Sequence, residues 1–228
     1  MHVTPALLPY LHGVRCIANA DCPAEDTFLN QADLPNMVIS VGVHPWKADV
    51  TPWDDMEPLL RNAAVIGEIG LDNVWCTVDL EVQRAVFRRQ LELAQALRKP
   101  VILHTKGMEH EILDTIRCYP NRYLVHWYAC ADWQQDYIDL GCWFTVGPDV
   151  ALDRDVARLA KAVPLDRLLI ESDGVDGIAW GQGTTLTPAD YPAAMDRHLH
   201  TVAALRGLSA ADLSAVLLQS LDTFLHHP

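Results

Sequence analysis

Short apolar runs recur along this chain, and most end on a polar or charged side chain. Val38-Ile39-Ser40-Val41-Gly42-Val43 runs into His44-Pro45-Trp46, and Ala63-Ala64-Val65-Ile66 leads into Gly67-Glu68-Ile69-Gly70-Leu71-Asp72. Val101-Ile102-Leu103 ends in His104, Tyr123-Leu124-Val125 in His126, and Leu168-Leu169-Ile170 in Glu171-Ser172-Asp173. Runs of this length, bounded by turn residues, predict strands buried on both faces, as in a parallel sheet. With candidates at 14–19 and 142–146, the expected strands lie near 14–19, 38–43, 65–69, 101–104, 123–126, 142–146 and 168–171.

Helical periodicity fills the gaps between them, over 79–98, 107–117, 132–140, 153–163 and 209–224. In 79–98, Val82, Val86, Leu93 and Leu97 lie close to one face, widened by Phe87, Leu91 and Ala94. Ser209-Ala210-Ala211-Asp212 reads as a capping box for the last helix. Strands alternating with amphipathic helices predict an α/β fold, a TIM-type (β/α) barrel with its site at the carboxyl ends of the strands. A closed barrel of this kind takes eight strands. The shortfall lies at the front, where Pro5 and Pro9 make residues 1–13 a poor regular element. The barrel is therefore expected to be incomplete or open at its first strand, with a seam whose unpaired edges need covering, for which a protein partner is one candidate.

At 228 residues, half of them apolar, the chain suits one domain spanning 1–228. Its formal net charge of −13 repels nucleic acid unless a local patch or bound cations reverse the field. Cys16, Cys22, Cys76, Cys118, Cys130 and Cys142 form no Cys-x-x-Cys pair, which favours reduced thiols. No apolar run reaches membrane-spanning length and the first residues do not pattern as a signal peptide, so the cytoplasm is the expected location.

The ordered set of strand-end residues resembles the TatD family of metal-dependent deoxyribonucleases, within the amidohydrolase-like barrels. The resemblance is carried by Gly42-Val43-His44-Pro45, by Gly67-Glu68-Ile69-Gly70-Leu71-Asp72, by Gln83, Phe87 and Gln90 leading to Pro100 and His104, by His126, and by Glu171-Ser172-Asp173. It implies that Glu68, His104, His126 and Asp173 are metal ligands, with Glu68 bridging two divalent ions. The family also carries an Asp-x-His-x-His segment on its first strand. Met1-His2 looks like its last two positions, which would make His2 the surviving ligand. Either the natural start lies upstream or the first strand is lost. The tail departs as well, with Gln219 where the family often has Asn.

Glutamate, histidine and aspartate suit Zn²⁺, Mn²⁺ or Mg²⁺, two per site if the site is complete. Such ions lower the pKa of a bound water and steady charge on a phosphoryl oxygen; Glu68 and Asp173 are the candidate catalytic groups. Their positive charge would also blunt the acidic field within a pocket. Taken singly, Glu68 is equally a strand-end turn residue and His104 a satisfied core histidine. His44 is either a substrate contact or a loop support, and Asp72 orients a ligand or anchors its loop. Lys106 is a candidate phosphate contact. Trp46, Trp75, Trp127, Tyr128, Trp133 and Trp143 form an aromatic set, of which Trp127 and Tyr128 follow His126 and should border the mouth, stacking on a base or packing the rim. Glu171 is expected to face the barrel wall. His226-His227 is read as native or as a tag fragment and assigned no metal role.

Three functions stay open. The first is a metal-dependent phosphodiesterase or 3′-to-5′ deoxyribonuclease acting on single-stranded ends. The second is an amidohydrolase-type enzyme with a small substrate. The third is a catalytically weakened barrel serving as a subunit of a larger complex; some members of the family occur in multigene antiviral defence cassettes.

Overall fold

The apolar runs do become strands. A computed structural model describes residues 1–226. It contains β1 (Cys16–Ala20), β2 (Met37–Val41), β3 (Val65–Gly70), β4 (Val101–His104), β5 (Tyr123–Val125), β6 (Trp143–Val146) and β7 (Leu168–Ile170). They pair in sequence order, every neighbour parallel, and curl into a barrel left open between β1 and β7. The helices are α1 (Pro23–Asn30), α2 (Trp53–Asn62), α3 (Leu80–Leu97), α4 (Glu109–Arg117), α5 (Gln134–Asp139), α6 (Arg154–Ala162), α7 (Gly174–Gln182), α8 (Tyr191–Arg206) and α9 (Ala210–His226). Of these, α1, α2, α7 and α8 are absent from the expected set. Their sequences mask the helical period: α2 contains Pro58, and α7 contains Gly174, Gly177 and Gly181. Among the described residues, no single helix is long and apolar enough to cross a membrane.

Strand alternation divides the molecule into a core and a site. On one face, Ile66, Ile69, Val101, Leu103, Val125, Phe144 and Val146 pack against Leu60, Phe87, Leu91, Ile112 and Leu159 of the surrounding helices. Burying a side chain such as Phe87 contributes about 2–3 kcal/mol. On the opposite, inner face, Ile17, Val38, Val65, Ile102, Leu124, Trp143 and Leu169 form a floor, plugged by Leu221, Phe224 and Leu225 of α9. Two residues further along their strands, the same face carries Asn19, Ser40, His104, Thr145 and Glu171 instead, with His126 just beyond β5. The inner face thus changes from apolar to polar in one step of the pleat.

Glu68 reaches that face by a register shift. Ile66 lies opposite Val101 and Ile69 opposite Leu103, so β3 spends three residues where β4 spends two. The extra residue lets Val65 and Glu68, three apart, face the same side, while Ile66 and Ile69 both face the helices.

One expectation needs correction. The inner face of α3 is centred on Phe87, Gln90, Leu91 and Ala94, and Val82 is exposed. The helix turns this way because Gln83 and Gln90 are buried with their amides in use. Gln90 clamps Val43 at 2.7 and 3.1 Å, and Gln83 clamps Asp72 at 2.9 and 3.1 Å. At the open seam, part of the exposed edge is met by the chain's own first residues. The Met1 nitrogen donates to the Ile17 carbonyl at 3.2 Å and the Met1 carbonyl accepts from Asn19 N–H at 3.0 Å, a parallel-ladder pattern on the outer edge of β1. The His2 carbonyl lies so close to Gly174, just past β7, that a Cβ there would sit 2.8 Å from it. Leu7 and Leu11 then pack with Leu34, Ile178 and Tyr191.

Candidate metal centre

The polar layer of the barrel opens into a cavity of about 650 Å³ at the carboxyl ends of the strands. Glu68 occupies its base, 5% exposed. Asn19 donates to one carboxylate oxygen of Glu68, and Ser40 in turn donates to Asn19. A strand-end glutamate held by two strand-borne polar side chains is built for a fixed position.

Ligand-type atoms surround this carboxylate in sets. His44, Glu68 and His104 offer donors within 4.8 Å of one another; so do His2, Glu68 and Asp173, and so do His126, Glu171 and Asp173. Glu68 belongs to two of the sets, the arrangement a bridging ligand requires. Individual separations agree: His44 Nε2 lies 4.0 Å from Glu68 Oε2, His126 Nδ1 lies 3.8 Å from Glu68 Oε1, and His2 Nε2 lies 3.9 Å from Asp173 Oδ1.

The second partner of each histidine defines its chemistry. His104 Nε2 lies 3.0 Å from Asp72 Oδ2, and His126 Nδ1 lies 2.5 Å from Glu171 Oε2. Each ring therefore has one nitrogen against a carboxylate, the contact that orients a metal-ligating imidazole. Asp72 is fully buried. Burial alone would raise its pKa, but bonds from His104, from the backbone of Trp75 and Val74 and from the Trp46 indole hold it well below the usual carboxylate range. Burial alone would lower the pKa of His126; Glu171 and Glu68 outweigh it and push it up to about 10. His44 differs. Its Nδ1 accepts the Trp46 N–H at 3.3 Å, while burial and the neighbouring His104, His2 and His126 hold its pKa well below the ordinary value.

The donor set fits hard or borderline divalent cations, since it is all oxygen and imidazole nitrogen. A buried oxygen supports the fit. Asp173 Oδ1 has no hydrogen-bond partner among the described residues, a costly state for a carboxylate unless a cation meets it. The nearby His126 positive charge lowers the Asp173 pKa against the effect of burial.

The expected residues mostly meet here: His2, His44, Glu68, Lys106, His104, His126, Trp127 and Asp173 all line the cavity. Tyr128 does not. It is 1% exposed, its ring packs on Tyr137 and Phe144, and its hydroxyl donates to the Asp132 carbonyl, so it is part of the core and no substrate contact. Trp143 belongs to the floor, and Trp133 stacks on His110 outside the cavity. Glu171, expected to face the wall, turns inward to His126, Thr145 and the Trp127 N–H. His226 ends α9 at the floor side, and His227 lies outside the described residues.

Other residues of the site lack any strand-end signal. Asp149 accepts from Trp127 Nε1 at 2.9 Å, and burial pushes its pKa up to about 6. Trp180 on α7 lies 5.6 Å from both Trp75 and Trp127, ring centre to ring centre. Gly147 admits the Trp127 indole, since a Cβ there would come within 2.1 Å of it. Asn19, Ser40 and Thr145 were legible in principle, as polar residues on the inward phase of apolar strands.

Comparison with known proteins agrees with this geometry. The model of the TatD-related DNase family matches residues 13–226. The chain is 31% identical over 148 residues to the 3′-5′ ssDNA/RNA exonuclease TatD of Edwardsiella piscicida, a match covering 59% of this chain and 56% of that protein. It is 28% identical over 151 residues to the uncharacterized metal-dependent hydrolase TatD of Mycobacterium tuberculosis, again covering 59% and 56%. These matches span little more than half the length of those relatives. The uncharacterized metal-dependent hydrolase YcfH of Escherichia coli K12 is 27% identical over 221 residues, covering 87% and 79%. Among solved structures, the TatD homolog YJJV from Escherichia coli K12 superposes with a TM-score of 0.76 at 23% identity, covering 93% of this chain and 86% of that one, a likeness of fold.

Proposed function

The chain belongs to the TatD-related DNase family, and on that premise we propose that it is a metal-dependent phosphodiesterase trimming single-stranded DNA ends from 3′ to 5′. The observation that supports this most is Glu68 shared between two sets of ligand atoms, beside the Asp173 oxygen that accepts no hydrogen bond among the described residues. Divalent ions held by His2, Glu68, His104, His126 and Asp173 would supply an acidified water and positive charge opposite a phosphoryl oxygen.

The chain's own groups have separable tasks in this reading. Water adds to phosphorus, the bond from phosphorus to the 3′ oxygen breaks, and a nucleoside monophosphate leaves. Asp173 takes the proton of the water, and a proton from solvent makes the departing 3′ oxygen the hydroxyl end of the shortened strand. His44, beside Glu68 in the cavity, would contact the substrate. Asp72 and Glu171 keep His104 and His126 in one tautomer. Lys106 contacts a phosphate, and Trp127 borders the base. Incubation of the full chain with Mn²⁺ and labelled single-stranded DNA tests the reading: release of mononucleotides supports it, and intact DNA together with intact simple phosphodiesters overturns it.

A second reading, a weakened barrel acting as a subunit, is favoured by one feature. The His2 side chain is 47% exposed, so its ligand set is the least enclosed. A partner over the seam, a cytoplasmic site of action and a defence role belong to this reading. Failure to retain any divalent ion after Mn²⁺ exposure would favour it. The amidohydrolase reading loses the lysine it would use, because Lys106 Nζ lies over the Trp75 ring, 4.3 Å from its centre.

A further inference from the structure

Building on the phosphodiesterase reading, we propose that the cavity selects dinucleotide-sized phosphodiesters and discriminates against long strands. Two independent features of the mouth lead there.

The first is an aromatic wall on one side. Trp180 is 64% exposed and Trp75 is 49% exposed, yet both line the cavity with Trp127. Trp180 meets each of the other two edge-on, with interplanar angles of 81° and 72°. Exposed indoles fixed against one another, beside a phosphodiester site, offer faces for a nucleobase; any base has a π-face, so such a contact tolerates all four. The wall is short: three indoles, with Trp180 between the other two.

The second feature is charge. A long single strand is gripped by rows of lysine and arginine that neutralise successive phosphates. Among the described residues, Lys47 and Lys106 are the two lysines that line this cavity, with no arginine beside them. Lys47 is engaged by Asp21 at 2.6 Å. Lys106 sits over Trp75, so it can serve a phosphate attached to a base held on that wall. Asp149, Asp153 and Asp176 line the same cavity, on a chain of net charge −13. Lys106 can serve one phosphate, and further phosphates would share the cavity with carboxylates. A dinucleotide supplies one bridging phosphate and a base for the wall. A longer strand adds repulsion and gains no cation.

The test uses the full chain with Mn²⁺, comparing a deoxydinucleotide with a single strand of roughly 20 nucleotides at about 50 and about 200 mM salt. The expected kcat/KM for the dinucleotide equals or exceeds that for the strand, and the fourfold salt change alters it by less than about threefold, as one neutralised phosphate requires. A strand preferred by about tenfold or more, with steep loss in salt, overturns the proposal. Trp180→Ala should raise KM for the dinucleotide about tenfold with kcat little changed, and leave an abasic analogue unaffected; equal effects on both analogues overturn the base-wall assignment. Asp153→Asn with Asp176→Asn should shift the ratio of rates toward the long strand; an unmoved ratio overturns the electrostatic argument. If neither ligand is hydrolysed, the phosphodiesterase reading falls, and quenching of tryptophan fluorescence then decides the size preference: tighter binding of the dinucleotide supports it, and tighter binding of the strand, or of neither, overturns it.

Discussion

Glu171 Oε2 lies 2.5 Å from His126 Nδ1, and its other oxygen accepts from the Trp127 N–H at 2.7 Å and from the Thr145 hydroxyl. One carboxylate therefore fixes the tautomer of a candidate ligand and the backbone that follows it. Glu171→Gln keeps an acceptor but removes the charge. Titration of the variant with Mn²⁺ against a competing chelator should show affinity reduced by about 10–100-fold, with the thermal midpoint little changed.

Glu68 is the group on which both ion sets converge. Glu68→Ala should lower phosphodiesterase activity by more than about 100-fold and reduce the number of divalent ions retained. Activity assays beside elemental analysis check this. Wild-type turnover in the variant would remove the mechanism.

The pH dependence of stability should carry a signature of Asp149. Burial pushes its pKa from 3.8 up to about 6, so the folded state holds its proton more tightly than the unfolded chain. The favourable contribution is present below the unfolded value and is lost as pH rises through about 6. Above that the buried charge costs about 2–3 kcal/mol. Asp149→Asn keeps an acceptor for Trp127 Nε1 and avoids the charge. Its Tm should exceed that of the wild type by about 4–8 °C near pH 8, shrinking toward zero near pH 4. Thermal melts across that range are the measurement.

The floor of the barrel depends on α9. Phe224 is fully buried, its ring 5.8 Å from that of Trp143, within a cluster drawn from β3 to β7. Phe224→Ala leaves a cavity that strand ends cannot close and should cost about 3–5 kcal/mol in urea unfolding. Because the floor underlies the polar layer, divalent affinity should weaken in parallel.

Much of the site could be read along the chain because a parallel barrel delivers the residue at each strand end to one rim. Glu68, His104, His126 and Asp173 are such residues, and the structure gathers them with His2 and His44. Tyr128 shows the limit of that rule. It follows Trp127 directly, yet successive residues leave a strand end in different directions, and an aromatic ring finds its lowest energy wherever a core can take it. Val82 and Gln83 show the same limit in a helix: apolarity favoured the first for the inner face, but two backbone groups of the Asp72 loop needed partners that only Gln83 could supply.

What the sequence determined by itself was local and periodic: seven buried strands, their alternation with helices, and the polar residue closing most of them. These follow from short-range sterics and from the cost of wetting apolar side chains. Tertiary structure decided everything that depends on distance between segments. It joined Glu171 to His126, set Trp180 against Trp75 and Trp127, closed the floor with α9, and carried Met1 and His2 across the open seam. Those contacts link residues far apart in the chain, and their geometry depends on where the curled sheet brings each strand end.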